Sequence, residues 1–147
     1  MQTTLILLKP DTIERGLIGN VISRIEAKWL QIAWMKMIQL DNDIINEHYA
    51  HIADKPFFPA IVKYMQRTPV IAIAAKGKNA VLVVRSLIWA TNPLDALPWT
   101  VRGDLALNID ANIIHASDSE ENAEIELKRS FKGEGIFEYS RLIDEVL

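Results

Sequence analysis

Residues 100–131, TVRGDLALNIDANIIHASDSEENAEIELKRSF, hold the groups best suited to chemistry on a phosphate. His115 carries an imidazole, which when neutral offers a ring-nitrogen lone pair without a base to activate it. Beyond it, Ser117 with Glu120 three residues on fits a capping box, and Ser119 is an equally good N-cap. Ala123, Leu127 and Phe131 then recur every four residues, as a helix requires. The imidazole is thus expected just ahead of a helix N-terminus, where unsatisfied N–H groups and the positive end of the dipole favour an anion. Arg102 adds a permanent forked cation and Asn112 a neutral donor and acceptor. Standing alone, a histidine beside a capped helix is more often structural than catalytic, so its weight depends on what the rest of the chain brings to it.

The elements that must position these groups follow from periodicity. Thr3–Leu8 is a β-branched and apolar strand that stops at Lys9-Pro10-Asp11, and Lys9 at its end can carry an ammonium toward an anion. Leu17, Ile18, Val21, Ile22 and Ile25 give an amphipathic helix over 17–28, and 32–40 is a second strand. Asp41-Asn42-Asp43 caps a helical stretch containing His48, Tyr49 and His51. The two histidines three apart mimic a metal pair but lack a third ligand, so no protein metal site is expected. Prolines bracket Phe57 and Phe58; one of these belongs in the core, while the other can be a flat face for a base. Val70–Ala75 is an apolar strand, 76–78 a turn, and 80–88 a helix carrying Arg85, closed by Thr91-Asn92-Pro93. Residues 94–99 read as an exposed loop, and the alternation Leu105, Leu107, Ile109 as the last strand. After Gly133 and Gly135, the apolar Ile136, Phe137 and Tyr139 are enough to dock the tail. Four strands with helices between them make an α+β, ferredoxin-like fold: a four-stranded antiparallel sheet covered by helices. That topology serves enzymes and RNA-binding modules alike.

At 147 residues, half of them hydrophobic, the chain suits one domain spanning 1–147 with a genuine core. A formal charge of −3 argues against a non-specific nucleic-acid binder, so any phosphate site must be a local cluster of cations. With no cysteine, disulfides and thiolate metal sites are excluded, and a cytoplasmic location is expected. The apolar run in MQTTLILLKPD is too short to span a membrane and reads as a mature N-terminal strand.

The string NIIHASDS, with VRGD ahead of it, KPD near the start, and HYAH, KPFFP, VKYM and ATNP between, resembles the nucleoside diphosphate kinase family from end to end. The resemblance implies transfer of the γ-phosphate of a nucleoside triphosphate to a nucleoside diphosphate, ping-pong, with little base specificity. It makes His115 the nucleophile through Nδ1 and Glu126 the carboxylate that orients the ring, with Lys9 assisting. Lys9, Arg85, Thr91, Arg102 and Asn112 would contact triphosphate and sugar, and Phe57 would stack on the base. Tyr49 matches a family position beside Lys9, and Ser117 one near the histidine. Mg²⁺ would arrive with the nucleotide rather than sit in a protein cage. The family also implies a homo-oligomer, tetramer or hexamer, and the loop 94–99 resembles a segment used in hexamer contacts. Neither membrane nor specific nucleic-acid partners are implied.

All four tryptophans depart from the family pattern. Trp29, Trp89 and Trp99 stand where it has glycine, Trp34 where it has a small residue, and Ala60 and Ala116 also replace a usual glycine. Trp29 and Trp89 fall just past helix ends, where glycine is favoured because it accepts positive φ without a Cβ penalty. Four such coincidences suggest a codon, UGA, that the native cell reads as glycine and that is translated here as tryptophan.

Overall fold

A computed structural model describes residues 1–146. The chain runs β1 (Gln2–Leu8), α1 (Pro10–Glu14), α2 (Ile18–Ala27), β2 (Gln31–Ile38), α3 (Asn42–His48), α4 (Phe58–Met65), β3 (Val70–Gly77), α5 (Ala80–Ile88), α6 (Val101–Leu105), β4 (Ile114–Ala116) and α7 (Glu120–Phe131). Short 3-10 turns fall at Ala50–Ile52, Pro93–Asp95 and Leu142–Glu145. The sheet order is β2-β3-β1-β4 with every neighbouring pair antiparallel, the ferredoxin-like α+β arrangement.

β1 and β3 lie at the centre and are covered on both faces, which is why they read as continuous apolar runs rather than as alternations. Ile6, Leu8, Ile71 and Ile73 point one way, onto Val21 and Ile25 of α2 and Val84 and Ile88 of α5. Leu5, Leu7, Ala72 and Ala74 point the other, onto Leu127 and Phe131 of α7. A satellite cluster of Leu40, Ile45, Phe58, Met65 and Val70 seats α3 and α4 at the flank. Of the two adjacent phenylalanines, Phe58 is therefore the core residue.

Two sequence expectations are corrected here. The alternation Leu105, Leu107, Ile109 is not a strand: 101–105 is helix α6, and Leu107 and Ile109 are exposed because no sheet edge lies beside them. The fourth strand is the three-residue segment holding His115, paired through Leu7↔His115. Thr100 opens α6, its hydroxyl accepting from Gly103 N at 3.0 Å. Gly103 is required by close approach, since a Cβ there would lie 1.9 Å from the carbonyl oxygen of Leu97. In addition, β3 continues through Gly77, so the turn follows it rather than beginning at Lys76.

The tryptophans divide. Trp29 (φ 66°) and Trp99 (φ 75°) occupy the left-handed region that favours glycine. Trp89 does not: its φ of −59° and ψ of 145° are open to any residue, which removes the backbone reason for a glycine there. Trp34 sits in β2 at a register shift, stacks on Phe137 at 4.8 Å and meets Phe131 edge-on at 6.0 Å, so it has become part of the core.

Candidate active site

The end of β1 meets α3, α5, α6, β4 and α7 around a cleft of about 520 Å³. Lys9, Tyr49, Arg85, Thr91, Arg102, Asn112, His115 and Glu126 all line it, although they come from positions more than a hundred residues apart. A larger cavity of about 800 Å³, between Trp29, Leu30, Val83 and Tyr139, lies at the opposite end of β1 and contains no histidine.

β4 sets the imidazole. His115 Nε2 lies 3.0 Å from Glu126 Oε2, and Ser117 Oγ donates to the same oxygen at 2.8 Å. Ser117 therefore serves the carboxylate, and the N-cap of α7 is Ser119, which accepts from Asn122 N at 3.1 Å. With Nε2 committed, Nδ1 is the nitrogen left to the cleft. Burial alone would raise the Glu126 carboxyl, but the hydrogen bond and charge of His115, then Ser117 and His48, outweigh it and hold the group below its ordinary range.

The turn before β4 is held from two sides. Ile113, a β-branched residue at φ 72°, donates its N–H to Asp11 Oδ2 at 3.0 Å, and its carbonyl accepts from Lys9 N at 2.9 Å and Thr12 Oγ1 at 2.5 Å. Asp11 is buried and also accepts from the Tyr64 hydroxyl. From the other side Arg102 donates Nη2 to Ile114 O at 2.6 Å and Nε to Asn112 O at 3.3 Å. Left-handed backbone at such a residue costs on the order of 1–3 kcal/mol and persists only where neighbours over-determine it. These bonds do so, and they turn Asn112 so that Oδ1 accepts from Lys9 Nζ at 2.6 Å while Nδ2 donates to Thr91 O at 3.0 Å.

The cations in the cleft are incompletely satisfied. Arg102 Nη1 is buried without a hydrogen-bond partner among the described residues. Its pKa is pushed down to about 10, by burial first and then by Arg85. Burial, then the charge of Arg102, pushes Lys9 down to about 8 against a partial lift from Asp11. Arg85 lies 4.9 Å over the Trp89 ring. Burial, reinforced by Glu126, pushes Tyr49 up to about 12, so the cleft holds a neutral phenol. Arg129 Nε is likewise buried without a hydrogen-bond partner among the described residues, so like charges with unused donors are gathered here, which is an arrangement for a multiply charged anion.

His48 and Arg129 also line the cleft, and sequence reasoning gave neither a role there. His48 packs edge-on against His115, ring centroids 4.5 Å apart at 85°, and its Nδ1 accepts from Arg129 Nη1 at 3.2 Å. Burial and then His115 push it down to about 3, so it is neutral. His48 does have metal-ligating company, His115 and Glu126 rather than His51, with one ligand atom from each within 4.8 Å. Against a divalent cation stand Arg129, which occupies His48 Nδ1, and the nearby Lys9 and Arg102 charges. Phe57, by contrast, is not among the described residues lining the cleft; it stands 54% exposed at the N-cap of α4.

A family model described as nucleoside diphosphate kinase matches residues 2–136. The chain is 50% identical over 139 residues to a nucleoside diphosphate kinase of Parabacteroides distasonis, covering 95% of this chain and 91% of that protein. It is 47% identical to one of Pyrococcus horikoshii, covering 97% and 93%. Among solved structures, a nucleoside diphosphate kinase of Halobacterium salinarum in complex with CDP superposes with a TM-score of 0.93 at 35% identity, over 99% of this chain and 97% of that one. One from Babesia bovis superposes with a TM-score of 0.94 at 33% identity, over 99% of both chains.

Proposed function

This chain belongs to the nucleoside diphosphate kinase family and is a phosphotransferase acting between nucleotides, and we propose that His115 carries the phosphoryl group. In the first half-reaction the Nδ1 lone pair forms a bond to the γ-phosphorus of a nucleoside triphosphate. The bond from that phosphorus to the β,γ-bridging oxygen breaks, and the nucleoside diphosphate leaves with the electron pair. In the second, a different diphosphate attacks the phosphohistidine with its terminal oxygen and returns the imidazole. The observation that supports this most directly is the free Nδ1 in a cleft shared by Lys9, Arg85 and a buried, unpartnered Arg102 N–H. Charge spreads over the phosphoryl oxygens at the transition state, so fixed cations there do most of the catalysis.

Glu126 orients the ring through Nε2, and Ser117 and Tyr49 complete its surroundings with neutral hydroxyls. Thr91, Asn112 and the cations bind the phosphates and sugar. Phe57 offers an exposed face to the base, and stacking without base-edge hydrogen bonds makes for little base specificity. Mg²⁺ fits this donor set only as part of the nucleotide: of the two carboxylates in the cleft wall, Glu126 is engaged by His115 and Ser117, which leaves Asp118. When bound, the ion would neutralise phosphate charge. We further place the enzyme in the cytoplasm as one domain over 1–147 and as a homo-oligomer, hexamer ahead of tetramer. The apolar loop of Leu94, Leu97 and Trp99 and the exposed edge strand β2 support the oligomer.

The test is incubation with γ-labelled ATP. An acid-labile, alkali-stable label is expected on the wild-type chain and absent from His115→Ala; a label that survives in that variant overturns the assignment.

A further inference from the structure

Glu126 and Arg129 lie three residues apart on α7, the spacing at which a helical carboxylate and guanidinium ordinarily pair. Here they do not. Glu126 spends Oε2 on His115 and Ser117, while Arg129 turns away, its Nη1 donating to His48 Nδ1 at 3.2 Å and its Nε lying 3.3 Å from Glu47 Oε1, an ion-pair distance without a hydrogen bond. Both of Arg129's partners come from α3. The two side chains on α7 are also well shielded, at 12% exposure for Arg129 and 13% for Glu126, so neither has bulk water as an easy substitute for a lost partner.

We propose that His48, helped by Glu47, is a positioning residue for phosphoryl transfer: by accepting from Arg129 it keeps that guanidinium off Glu126 and leaves the carboxylate to orient His115. Two features make His48 suited to the task. It is neutral, so its Nδ1 has a lone pair to give Arg129, whereas a protonated ring would repel it. It also touches the nucleophile, with its ring edge-on to His115 at 4.5 Å, so the residue that diverts Arg129 is the one that walls the imidazole. Deprived of His48, a shielded guanidinium must find another acceptor. The nearest carboxylate on its own helix is one turn back, and a bidentate grip on Glu126 would take the oxygen that now holds His115 Nε2.

The inference rests on the reading of His115 as the phosphorylated residue, and the experiment separates the two. Rapid-mixing rates of phosphohistidine formation from ATP are measured for wild type, His48→Phe, Glu47→Gln and the double variant His48→Phe/Arg129→Leu, with folding checked by thermal melts. Phenylalanine keeps an aromatic edge against His115 but accepts nothing. His48→Phe is expected to lose on the order of 10-fold in the labelling rate with the KM for ATP little changed, the signature of a displaced reacting group rather than a damaged binding site. Glu47→Gln is expected to shift the rate the same way by a smaller factor, and it reports even if His48→Phe folds poorly. Removing Arg129 in the double variant is expected to recover most of the lost rate, which no general loosening of α3 would allow. The proposal is overturned if His48→Phe labels at the wild-type rate, or if the double variant is no faster than His48→Phe. If the wild-type chain takes no label at His115, the underlying reading fails, and this one with it.

Discussion

Lys9 is the residue whose charge the fold alters with most consequence. Its ammonium titrates near 8 in the folded chain, against an ordinary 10.5, because it is buried beside Arg102. Between those values the unfolded chain binds more protons than the folded one, so this group contributes stability that grows as pH rises from about 8 to 10.5. Under the proposed role of Lys9, function runs the other way: above pH 8 the free enzyme would present a neutral amine to the triphosphate. The expected outcome is a fall in kcat/KM with a midpoint near pH 8, with proton uptake on nucleotide binding above it, read by calorimetry in buffers of different ionisation enthalpy; a flat profile to pH 9.5 contradicts it. Trp29 and Trp99 supply a second prediction. Each holds a bulky side chain at positive φ, a conformation costing roughly 1–2 kcal/mol, so Trp29→Gly and Trp99→Gly are each expected to raise Tm by a few degrees. Trp89→Gly is not, and Trp34→Gly, which would empty the space against Phe131 and Phe137, should lower it. UGG codons at all four positions would end the idea that they stand for glycine. Lys9, Arg102 and His115 stand out in the sequence because their types suit phosphate chemistry, whereas Arg85 gains a role only through the family resemblance. No comparable sign marks Arg129, an ordinary helix charge until α3 closes over it.

At the scale of elements, α1 and α6 act as clamps on the turn before β4. Asp11 is the acceptor on one side, and Asp11→Ala strands the buried Ile113 N–H and the Tyr64 hydroxyl together. That is expected to cost about 2–4 kcal/mol in chemical denaturation and to slow phosphohistidine formation, since Ile113 can then relax out of its left-handed conformation. On the other side Thr100 caps the helix that carries Arg102, so Thr100→Ala is expected to cost about 1 kcal/mol and to raise the KM for nucleotide. An unchanged KM would separate the cap from the site. Long periodic elements such as α2, α5 and α7 were legible because their apolar spacing is itself the reason they bury a face. Residues 105–109 were misread because alternation marks a strand only where a sheet edge is there to receive it. The β1–β4 pairing that displaces it involves three residue pairs and leaves almost no local trace.

For the whole molecule, the sheet ends at β2, whose edge the tail meets at Ile32 and Ala33 through Tyr139 and Phe137, while Met35 and Met37 further along it are 49% and 57% exposed. Apolar side chains on an open edge invite a second copy. If the proposed oligomer forms through this edge, Met35→Glu/Met37→Glu is expected to lower the mass measured by light scattering, and an unchanged mass contradicts a contact there. Among the described residues no helix is long and apolar enough to cross a membrane. The staples on the turn before β4 carry a further implication. Asp11 and Thr12 reach Ile113 across 102 and 101 positions of sequence. Nothing shorter than a chain already synthesised past β4 can hold His115 in this place, so on the ribosome the cleft stays unformed until β4 emerges, and a translation product that stops before β4 is expected to be inert rather than a weakened or misdirected kinase.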